Sequence, residues 1–457
     1  MKERQGVNTQ WMRNALQTFG SQIAIMCITI LTGVLLARGL GAEGRGTFIA
    51  ITMWSNLLYW GFSFGLYQTV IYFWKSYKGD KKVIFTTLLV YGIILCALAS
   101  LIAEIVIVPL VTSNGGSDIV LAAKIYFLGI FYAAFADIIT SSLAGEEKFG
   151  YSNLLRMAVP GLTALAMLSL YVTGHLTSVT ALYASFIIST LLFIANMIKI
   201  ASMKVIGFKI DWRLMWSGFK YGSKSHGGSV ASLTSENITQ MVLSLFLPPV
   251  ALGHYSVAQS AVSPVNTITS TITITTQPKL TAEEKHTVHG RVVQLLKKAM
   301  ILIAFAVVVM AVVLPFGIEF VYGSEFEAAI IPALILLPSK LFDCLSNVLR
   351  NALNGAGMTF INTKSELIVL AATLACMSVF FTRWHLIGAA AVTLIASLVR
   401  IAIFFIEYRR RFERLTLKEA LPGRLDVVEL YKDAHSRIVR GSMSRRKRGL
   451  SPERSEL

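Results

Sequence analysis

Hydrophobic runs long enough to cross a bilayer recur about twelve times along the chain. A helix needs about 20 apolar residues to cover the roughly 30 Å hydrocarbon core of a membrane. The pattern predicts helical spans at about 18–37, 47–74, 83–110, 119–143, 153–173, 179–198, 225–247, 251–276, 299–318, 328–349, 366–382 and 386–407. The predicted fold class is therefore an all-α polytopic membrane protein.

Lys and Arg are concentrated in every second connecting segment. Of the 42 Lys and Arg residues, 36 lie in the segments that this alternation places inside the cell. The opposite segments hold Arg38, Arg45 and Arg383 only. Because positive charge is retained on the cytoplasmic side, we expect an even number of spans, with both termini in the cytoplasm. The expected location is the cell (inner) membrane.

Composition supports a membrane protein and argues against other classes. The mean hydropathy is +0.63, and 15% of residues are charged, against about 25% in soluble domains. The net charge of +17 does not predict a nucleic-acid partner, because most of it lies in segments that would meet anionic lipid headgroups. The cysteines Cys27, Cys96, Cys344 and Cys376 lie in predicted spans without CxxC spacing, so we expect neither disulfides nor zinc.

Two weak internal repeats divide the chain into halves. LGAEGRGTFIA at 40–50 corresponds to VALGHYSVA at 250–258, and LAGEEKFGYSN at 143–153 corresponds to LNGAGMTFINT at 353–363. Both pairs are separated by about 207–210 residues. A common offset predicts a duplicated unit of six spans. The two halves would then be parallel, related by an axis along the membrane normal.

This division predicts four segments. They are an N-terminal six-helix lobe at 1–198, a cytoplasmic linker at 199–224, a C-terminal six-helix lobe at 225–408 and a basic cytoplasmic tail at 409–457. Trp212 and Trp216 lie among basic residues in the linker, as in an interfacial amphipathic stretch. The tail is polar and basic, which favours a solvated, partly disordered segment over a docking site for a partner.

The glycines of Gly39-Leu-Gly41-Ala-Glu-Gly44 match the GxGxxG pattern. A dinucleotide site needs a preceding strand and a following helix, whereas these glycines follow a predicted membrane span. They predict a tight turn.

Polar residues recur at helical spacing inside several spans. The stripes are Ser229, Ser232, Glu236, Gln240 and Ser244 in span seven; Gln259, Ser263, Asn266, Ser270, Thr273 and Gln277 in span eight; Lys340, Asp343, Asn347, Arg350 (or Asn351) and Asn354 in span ten; Thr52, Asn56, Tyr59, Ser63 and Tyr67 in span two; and Asp137 and Ser141 in span four. A single such residue is explained by hydrogen bonding between helices. Together, the stripes predict a hydrated cavity lined by spans seven, eight and ten, with spans one, two and four on the opposite wall.

Ionisable groups within spans are the candidates for function, because burying a charge in a membrane costs roughly 2.5–3.5 kcal/mol. Glu236 has no basic neighbour in sequence, which favours a protonatable or cation-linked group, and Asp137 is similar. Lys340 and Asp343 lie three residues apart, so mutual neutralisation is the alternative explanation for both.

Three further cations lie near the predicted ends of spans. Arg38 and Arg350 could extend to the headgroups, and Lys124 lies near the outer start of span four. No paired-carboxylate motif, metal cluster or phosphate-binding loop is evident, and the predicted outer loops are short. We therefore expect a protein that is not an enzyme and has no cofactor.

Two segments resemble the bacterial oligosaccharide flippases. LLARGLGAEGRGTFIAITMW at 35–54 is similar to the first-repeat signature of that family, and VALGHYSVAQSAVSPV at 250–265 is similar to its second-repeat Gly-x-Tyr-x-x-Ala signature. The resemblance extends over most of 8–410. The flippase family belongs to a superfamily of exporters that also includes multidrug or cation antiporters and lipid II flippases.

The resemblance implies a flippase that moves undecaprenyl-pyrophosphate-linked oligosaccharide to the outer leaflet by alternating access. The implied partners are the lipid-linked oligosaccharide, membrane lipids and, beyond these, a polysaccharide polymerase or glycosyltransferases. The amides Asn56, Asn266 and Asn347 would face the sugar. The pyrophosphate would be bound by Arg38, Lys124, Lys340 or Arg350. An H⁺ or Na⁺ gradient would act through Glu236, Asp137 or Asp343.

One departure from the family pattern puts ion coupling at its usual position in doubt. Many relatives place an acidic residue about fourteen positions before the Gly of Gly-x-Tyr, where this chain has Thr239 and Gln240. A drug or cation antiporter of the same fold, a membrane-embedded polymerase or ligase, and a non-transporting scaffold remain alternatives. The polymerase or ligase would need a long outer loop with catalytic residues.

Overall fold

The computed structural model describes residues 2–77, 79–113, 115–148, 150–281, 285–412, 415–423 and 426. The side chains of residues 1–19 and 271–288 lie outside the description, and so do those of Ser229 and a few others. The predicted stripe positions Ser229, Thr273 and Gln277 are therefore not located further, and neither is the tail at 427–457.

The regular elements of the described residues are helices throughout. The N-terminal lobe consists of α1 (Lys2–Phe62), α2 (Leu66–Ser76), α3 (Lys81–Ile102), a π-helical turn (Ala103–Ile107), α4 (Val108–Val111), α5 (Ser117–Leu128), α6 (Ile130–Gly145), α7 (Gly150–Val172) and α8 (Ser178–Met203). The C-terminal lobe consists of α9 (Trp212–Phe246), α10 (Pro249–Thr281), α11 (Lys285–Tyr322), a 3₁₀ turn (Ser324–Ala329), α12 (Ile330–Gly355) and α13 (Thr359–Arg411), followed by the short α14 (Leu417–Ala420).

Two long helices are broken by single residues with positive φ. Gly41 has φ 65° and ψ −174° and divides α1 between the first two predicted spans. This confirms the turn predicted from the glycines at 39–44, and glycine adopts such a φ without steric cost. His385, with φ 43°, divides α13 between the last two predicted spans.

Short polar residues fix several of the helix starts. Asp80 accepts a hydrogen bond from the backbone of Lys82 at the start of α3, and Thr177 accepts one from Thr180 at the start of α8. Asp211 accepts from the first turn of α9. Such caps satisfy N–H groups that have no partner within the helix. They place the start of α9 at Trp212, inside the predicted linker, and leave residues 204–211 as the connection between the lobes.

Nine segments among the described residues are long and apolar enough to cross a membrane. The first of them, Gly20–Ser76, includes the break at Gly41 and covers two predicted spans. The helices α9 and α10, which carry two polar stripes, are not among the nine. The all-α membrane fold predicted from the sequence is confirmed, whereas the number of twelve spans and the side of the termini stay predictions.

Each lobe has its own hydrophobic core. The N-terminal core includes Leu66, Phe85 and Phe127, and the C-terminal core includes Tyr255, Phe326 and Phe404. Leu214 belongs to the N-terminal core, so the first turns of α9 pack on the other lobe. Trp212 and Trp216 are exposed, in line with an interfacial position.

The lobes approach most closely where the repeats correspond. A Cβ atom on Gly46 would lie 1.8 Å from the Pro249 carbonyl oxygen, and one on Gly253 would lie 1.9 Å from the Ala42 carbonyl oxygen. Gly46 corresponds to Gly253 in the repeat, and Ala42 corresponds to Pro249. Each contact is therefore the equivalent of the other, as expected for halves related by a pseudo-two-fold axis. Backbone therefore packs on backbone at the end of the lobes that the loop charges predict to be outer.

Candidate functional site

A central cavity of about 500 Å³ lies between the two lobes. Both parts of α1 line it on one side, and α9 and α10 line it on the other. Its polar lining consists of amides and hydroxyls: Thr29, Thr52, Asn56, Asn237, Gln240, Ser256, Gln259, Ser260, Ser263 and Asn266. Its described lining residues include no charged side chain. The cavity offers hydrogen-bonding groups without a fixed charge.

The walls of this cavity differ in part from the prediction. Spans one, two, seven and eight line it, but span ten, which is α12, does not. The polar face of α12 is directed instead towards α13, where Arg400 binds Asp343. Span four does not line the central cavity either, among the described residues. Its Asp137 contacts Tyr59 of α1 inside the N-terminal lobe.

A second cavity of about 490 Å³ lies within the C-terminal lobe. It shares Asn237, Gln259 and Asn266 with the central cavity, so the two are adjacent across α9 and α10. Charged residues distinguish it from the central cavity: Glu236, Lys340, Asp343, Arg350 and Arg400 all line it, together with Asn347. The structure thus collects six of the ten candidate residues, including Asn266, around one pocket.

Arg400 is the centre of an ion-pair network in this pocket. Its Nη1 lies 2.7 Å from Asp343 Oδ1, and its Nε lies 3.3 Å from Glu366 Oε1. Its Nη2 donates to Ser235 Oγ at 3.0 Å. The Glu366 side chain is 1% exposed, and burying an unpaired carboxylate is costly. Arg400 therefore neutralises Asp343 and is the nearer of the two cations that neutralise Glu366.

Mutual neutralisation, the alternative explanation for Lys340 and Asp343, is not found among the ion pairs of the described residues. Asp343 pairs with Arg400, from a helix packed against its own. Lys340 lines the same pocket and makes no ion pair or hydrogen bond within the part of the chain that the structure describes. Among the described residues, the charge of Lys340 is therefore not compensated by an ion pair.

Arg350 and Glu236 occupy the pocket with weaker contacts. Arg350 donates to Asn347 Oδ1, and its Nη1 lies 3.9 Å from Glu366 Oε1. Glu236 is open to the pocket and lies in the electrostatic field of Arg400 and Arg350. The basic neighbours that Glu236 lacks in sequence are thus supplied by α12 and α13.

Asp137 lies apart from this pocket, within the N-terminal lobe. The Tyr59 hydroxyl donates a hydrogen bond to its Oδ2, and Tyr59 is buried. The bond links α6 to the second part of α1. Asp137 therefore has a specific partner, and its role in ion coupling stays a prediction.

Arg38 and Lys124 do not line the cavities described above. Arg38 donates to the carbonyl oxygens of Val321 and Phe320, at 2.8 Å and 2.5 Å, and so joins the two lobes near the Gly41 turn. Lys124 is exposed on α5, and its charge acts on Glu104. The binding of pyrophosphate by either residue stays a prediction.

Arg45 strengthens the contact between the lobes. Its side chain is 2% exposed. Its Nε donates to Ser256 Oγ at 2.8 Å and its Nη2 to Ser260 Oγ at 3.0 Å, while Nη1 donates to the Gly33 carbonyl. Its guanidinium also lies 5.6 Å from the centre of the Tyr322 ring, within reach of a cation–π interaction. Two of the acceptors, Ser256 and Ser260, also line the central cavity.

The family model for polysaccharide biosynthesis proteins matches residues 35–332, which is more than half of the chain. The chain belongs to this family. No curated protein matches it in sequence.

Several solved structures of transporters have a similar fold. The Lipid II flippase MurJ in an inward closed conformation superposes with a TM-score of 0.72 at 15% identity, covering 88% of this chain and 89% of that chain. An inward-facing multidrug resistance MATE family transporter of the MOP superfamily gives 0.65 at 16% identity, covering 86% and 98%. A MOP superfamily transporter from Pyrococcus furiosus gives 0.55 at 13% identity, covering 86% and 93%. At these identities, the likeness concerns the fold alone.

Within this member of the family, sequence reasoning missed Arg400, Glu366 and Arg45 as site residues. Arg400 lies well inside a predicted span, and Glu366 begins another. The rule that intramembrane charges have partners would have singled out both. Arg45 lies in a predicted outer loop, and no local sequence signal indicates its burial against α10.

Proposed function

We propose that the protein is a flippase that carries undecaprenyl-pyrophosphate-linked oligosaccharide from the cytoplasmic to the outer leaflet of the cell membrane. Family membership and the transporter fold support transport in polysaccharide biosynthesis. The observation that carries the specific proposal is the pairing of two cavities. One is lined by amides and hydroxyls and has no charged group among its described residues, and it adjoins one whose Lys340 has no ion-pair partner among the described residues. No bond of the substrate is made or broken in this process.

The neutral cavity suits the sugars. Saccharide hydroxyls both donate and accept hydrogen bonds, and so do the amides and hydroxyls of Asn56, Asn237, Gln259 and Asn266 and their neighbours. A fixed charge there would need desolvation and a counter-ion. The isoprenoid chain would stay in the bilayer, between the lobes.

The charged pocket suits the pyrophosphate. Lys340 has no competing partner among the described residues, whereas Arg400 is held by Asp343 and Glu366. Arg350 is intermediate in its ion pairing, because its nearest described carboxylate, that of Glu366, is 3.9 Å away. We assign Lys340 as the main cation for pyrophosphate, because it has no ion-pair partner among the described residues and Lys can bind phosphate as a point charge. Arg350, which is near Glu366, is second.

Two sources of energy would drive the movement outwards. An inside-negative potential favours outward movement of an anion by ~2.3 kcal/mol per charge per 100 mV. In addition, Glu236 faces the charged pocket, and binding of H⁺ or Na⁺ there would change the field that acts on the pyrophosphate. Access would alternate by rocking of the lobes about the Gly46 and Gly253 contacts.

The proposal is tested in cells whose supply of the protein can be shut off. Cell-surface exposure of the lipid-linked oligosaccharide is measured in spheroplasts with an impermeant glycosidase. We expect depletion to leave the oligosaccharide lipid intact but inaccessible. Unchanged accessibility after complete loss of the protein would contradict the proposal.

A drug or cation antiporter is the second candidate, supported by the MATE-like fold and by the carboxylates of Glu236, Asp343 and Glu366. Its cavity should be negative overall. Here Glu236 and Asp343 line the pocket with Lys340, Arg350 and Arg400, and Glu366 pairs with the two arginines. Among the described residues, the three acids are thus matched by three cations. Export of a cationic dye from proteoliposomes, driven by a pH or sodium gradient, would favour this candidate over the flippase.

A further inference from the structure

A third cavity, of about 490 Å³, lies inside the N-terminal lobe between α1, α5, α6, α7 and α8. Its volume falls within the range of about 300–1,000 Å³ that is usual for small-molecule sites. None of its described lining residues carries a charge. It differs in this from the C-terminal pocket, which has a similar volume but holds five charged side chains. A neutral ligand, or the neutral part of a larger one, suits it.

Aromatic rings form one side of this cavity. The rings of Tyr132 and Phe193 stack with their centres 4.6 Å apart and an angle of 22°, and Phe186 lies 5.8 Å from Tyr132. All three line the cavity. The face of an aromatic ring is electron-rich. It therefore attracts the C–H groups that a pyranose ring presents on its less polar face.

Hydroxyls and amides form the remaining polar lining. Ser185 and Ser189 donate to backbone carbonyls one turn earlier, which leaves their oxygen lone pairs free to accept. Asn56 likewise donates to the Thr52 carbonyl, and its side-chain oxygen can accept. Acceptors beside an aromatic wall suit a sugar ring with its hydroxyls. An isoprenoid chain has no donor for these free acceptor sites, whereas sugar hydroxyls can donate to them.

The three cavities are arranged in a row. Thr52 and Asn56 line both the N-terminal and the central cavity. Asn237, Gln259 and Asn266 line both the central cavity and the charged C-terminal pocket. The lining thus changes from charged, through amide-rich, to aromatic and neutral. A lipid-linked oligosaccharide has the same order, from pyrophosphate to terminal sugar.

We propose that the N-terminal cavity is a saccharide subsite that binds the sugars farthest from the pyrophosphate, with Phe193 and Tyr132 as its stacking platform. This assignment rests on the proposed flippase function and adds the direction in which the substrate lies. The N-terminal lobe would then select the oligosaccharide, and the C-terminal lobe would bind the feature that all such lipids share.

The test compares two probes on the full-length protein in detergent. One is the undecaprenyl-pyrophosphate-linked oligosaccharide extracted from the cells that make the protein, and the other is undecaprenyl pyrophosphate without sugar. Dissociation constants are measured for the wild type, Phe193→Ala and Tyr132→Phe. The matched control is Phe305→Ala, which removes an aromatic ring that is 70% exposed on α11.

We expect Phe193→Ala to weaken binding of the oligosaccharide lipid by about three- to tenfold and to leave binding of the sugar-free lipid unchanged. Tyr132→Phe, which keeps the ring, and Phe305→Ala should bind both probes like the wild type. Phe193→Leu provides a second variant if the alanine variant has a lowered melting temperature, because it fills the space but cannot stack.

Three outcomes would overturn the assignment. An equal loss for both probes would show that the cavity holds the lipid chain or supports the fold, and no loss for either would show that it holds no substrate. A wild type that binds both probes with the same affinity would also exclude a saccharide subsite while leaving the flippase possible. A wild type that binds neither probe would instead contradict the proposed function itself.

Discussion

Replacing Arg400 by Met tests whether the C-terminal pocket is organised by its ion pairs. Methionine keeps an unbranched side chain of similar length but removes the charge. Asp343 would lose a partner at 2.7 Å and Glu366 one at 3.3 Å. Glu366, 1% exposed, would retain only Arg350 at 3.9 Å among its described ion-pair partners.

The expected cost follows from burial. Removing one partner of a buried ion pair costs about 3–5 kcal/mol, because the other charge is left uncompensated. The matched control is Arg410→Met. The Arg410 side chain is 69% exposed and lies 3.9 Å from Glu407, and exposed pairs contribute about 0–1 kcal/mol. The two variants should therefore differ by several kcal/mol, although both lose one arginine.

Thermal unfolding in detergent and abundance in membranes measure this difference. We expect a large fall in melting temperature for Arg400→Met and little change for Arg410→Met. Adding Asp343→Asn and Glu366→Gln to Arg400→Met should restore much of the loss, since both uncompensated charges are then removed. Equal melting temperatures for Arg400→Met and Arg410→Met, or no recovery in the triple variant, would refute the reasoning.

Three further predictions concern substrate binding, the contact between the lobes and the N-terminal lobe. Lys340→Ala should lower the affinity for undecaprenyl pyrophosphate by ~10–100-fold, because a hydrogen bond to a charged group contributes about 1.5–3 kcal/mol. Lys340→Arg and the exposed control Lys364→Ala should both bind like the wild type. An unchanged Kd for Lys340→Ala would remove Lys340 from the site. Gly46→Val should hold the lobes apart, because its Cβ would lie 1.8 Å from the Pro249 carbonyl oxygen, and a cysteine placed at Ser260 should then react faster with an impermeant thiol reagent. The control is Gly61→Val, because a Cβ on Gly61 would have nothing within 4 Å. Equal reaction rates in the two variants would contradict the contact. Tyr59→Phe should lower the free energy of unfolding by about 1–3 kcal/mol, because it removes the hydroxyl that donates to the Asp137 carboxylate. The effect should disappear in an Asp137→Leu background. A full effect in that background would show that the two residues act independently.

Local chemistry was sufficient to predict the helices and their breaks. Apolar runs of membrane-spanning length fixed the positions of most helices, and Gly41 breaks α1 where the glycine pattern predicted a turn. The sequence pair at 143–153 and 353–363 corresponds to two helix ends, because α6 ends at Gly145 and α12 ends at Gly355. These two glycines are separated by the repeat offset. These features depend on a few neighbouring residues, so a single sequence contains them.

The side-chain partners were less predictable. Asp343 has Lys340 one turn away in sequence, yet it pairs with Arg400, because α13 packs along the polar face of α12 and presents a guanidinium fork at 2.7 Å. Such a choice depends on how two helices are rotated about their axes. The polar stripes could show that α9, α10 and α12 each have a hydrated face, but not that α12 faces a separate pocket.

The N-terminal aromatic cavity had no counterpart in the sequence reasoning. Tyr132, Phe186 and Phe193 look like ordinary apolar residues of membrane helices. Their stacking depends on α6 and α8 lying side by side, which no local spacing reveals.

The most direct test of the central claim is transbilayer movement of the substrate in liposomes that contain the purified protein. The extracted undecaprenyl-pyrophosphate-linked oligosaccharide is incorporated in both leaflets, and the fraction open to an external glycosidase is followed with time. We expect nearly all of it to become accessible with the wild type, whereas with Lys340→Ala mainly the outer-leaflet substrate should be accessible at early times. Movement no faster than in protein-free liposomes, with correctly folded protein and intact substrate, would contradict the account.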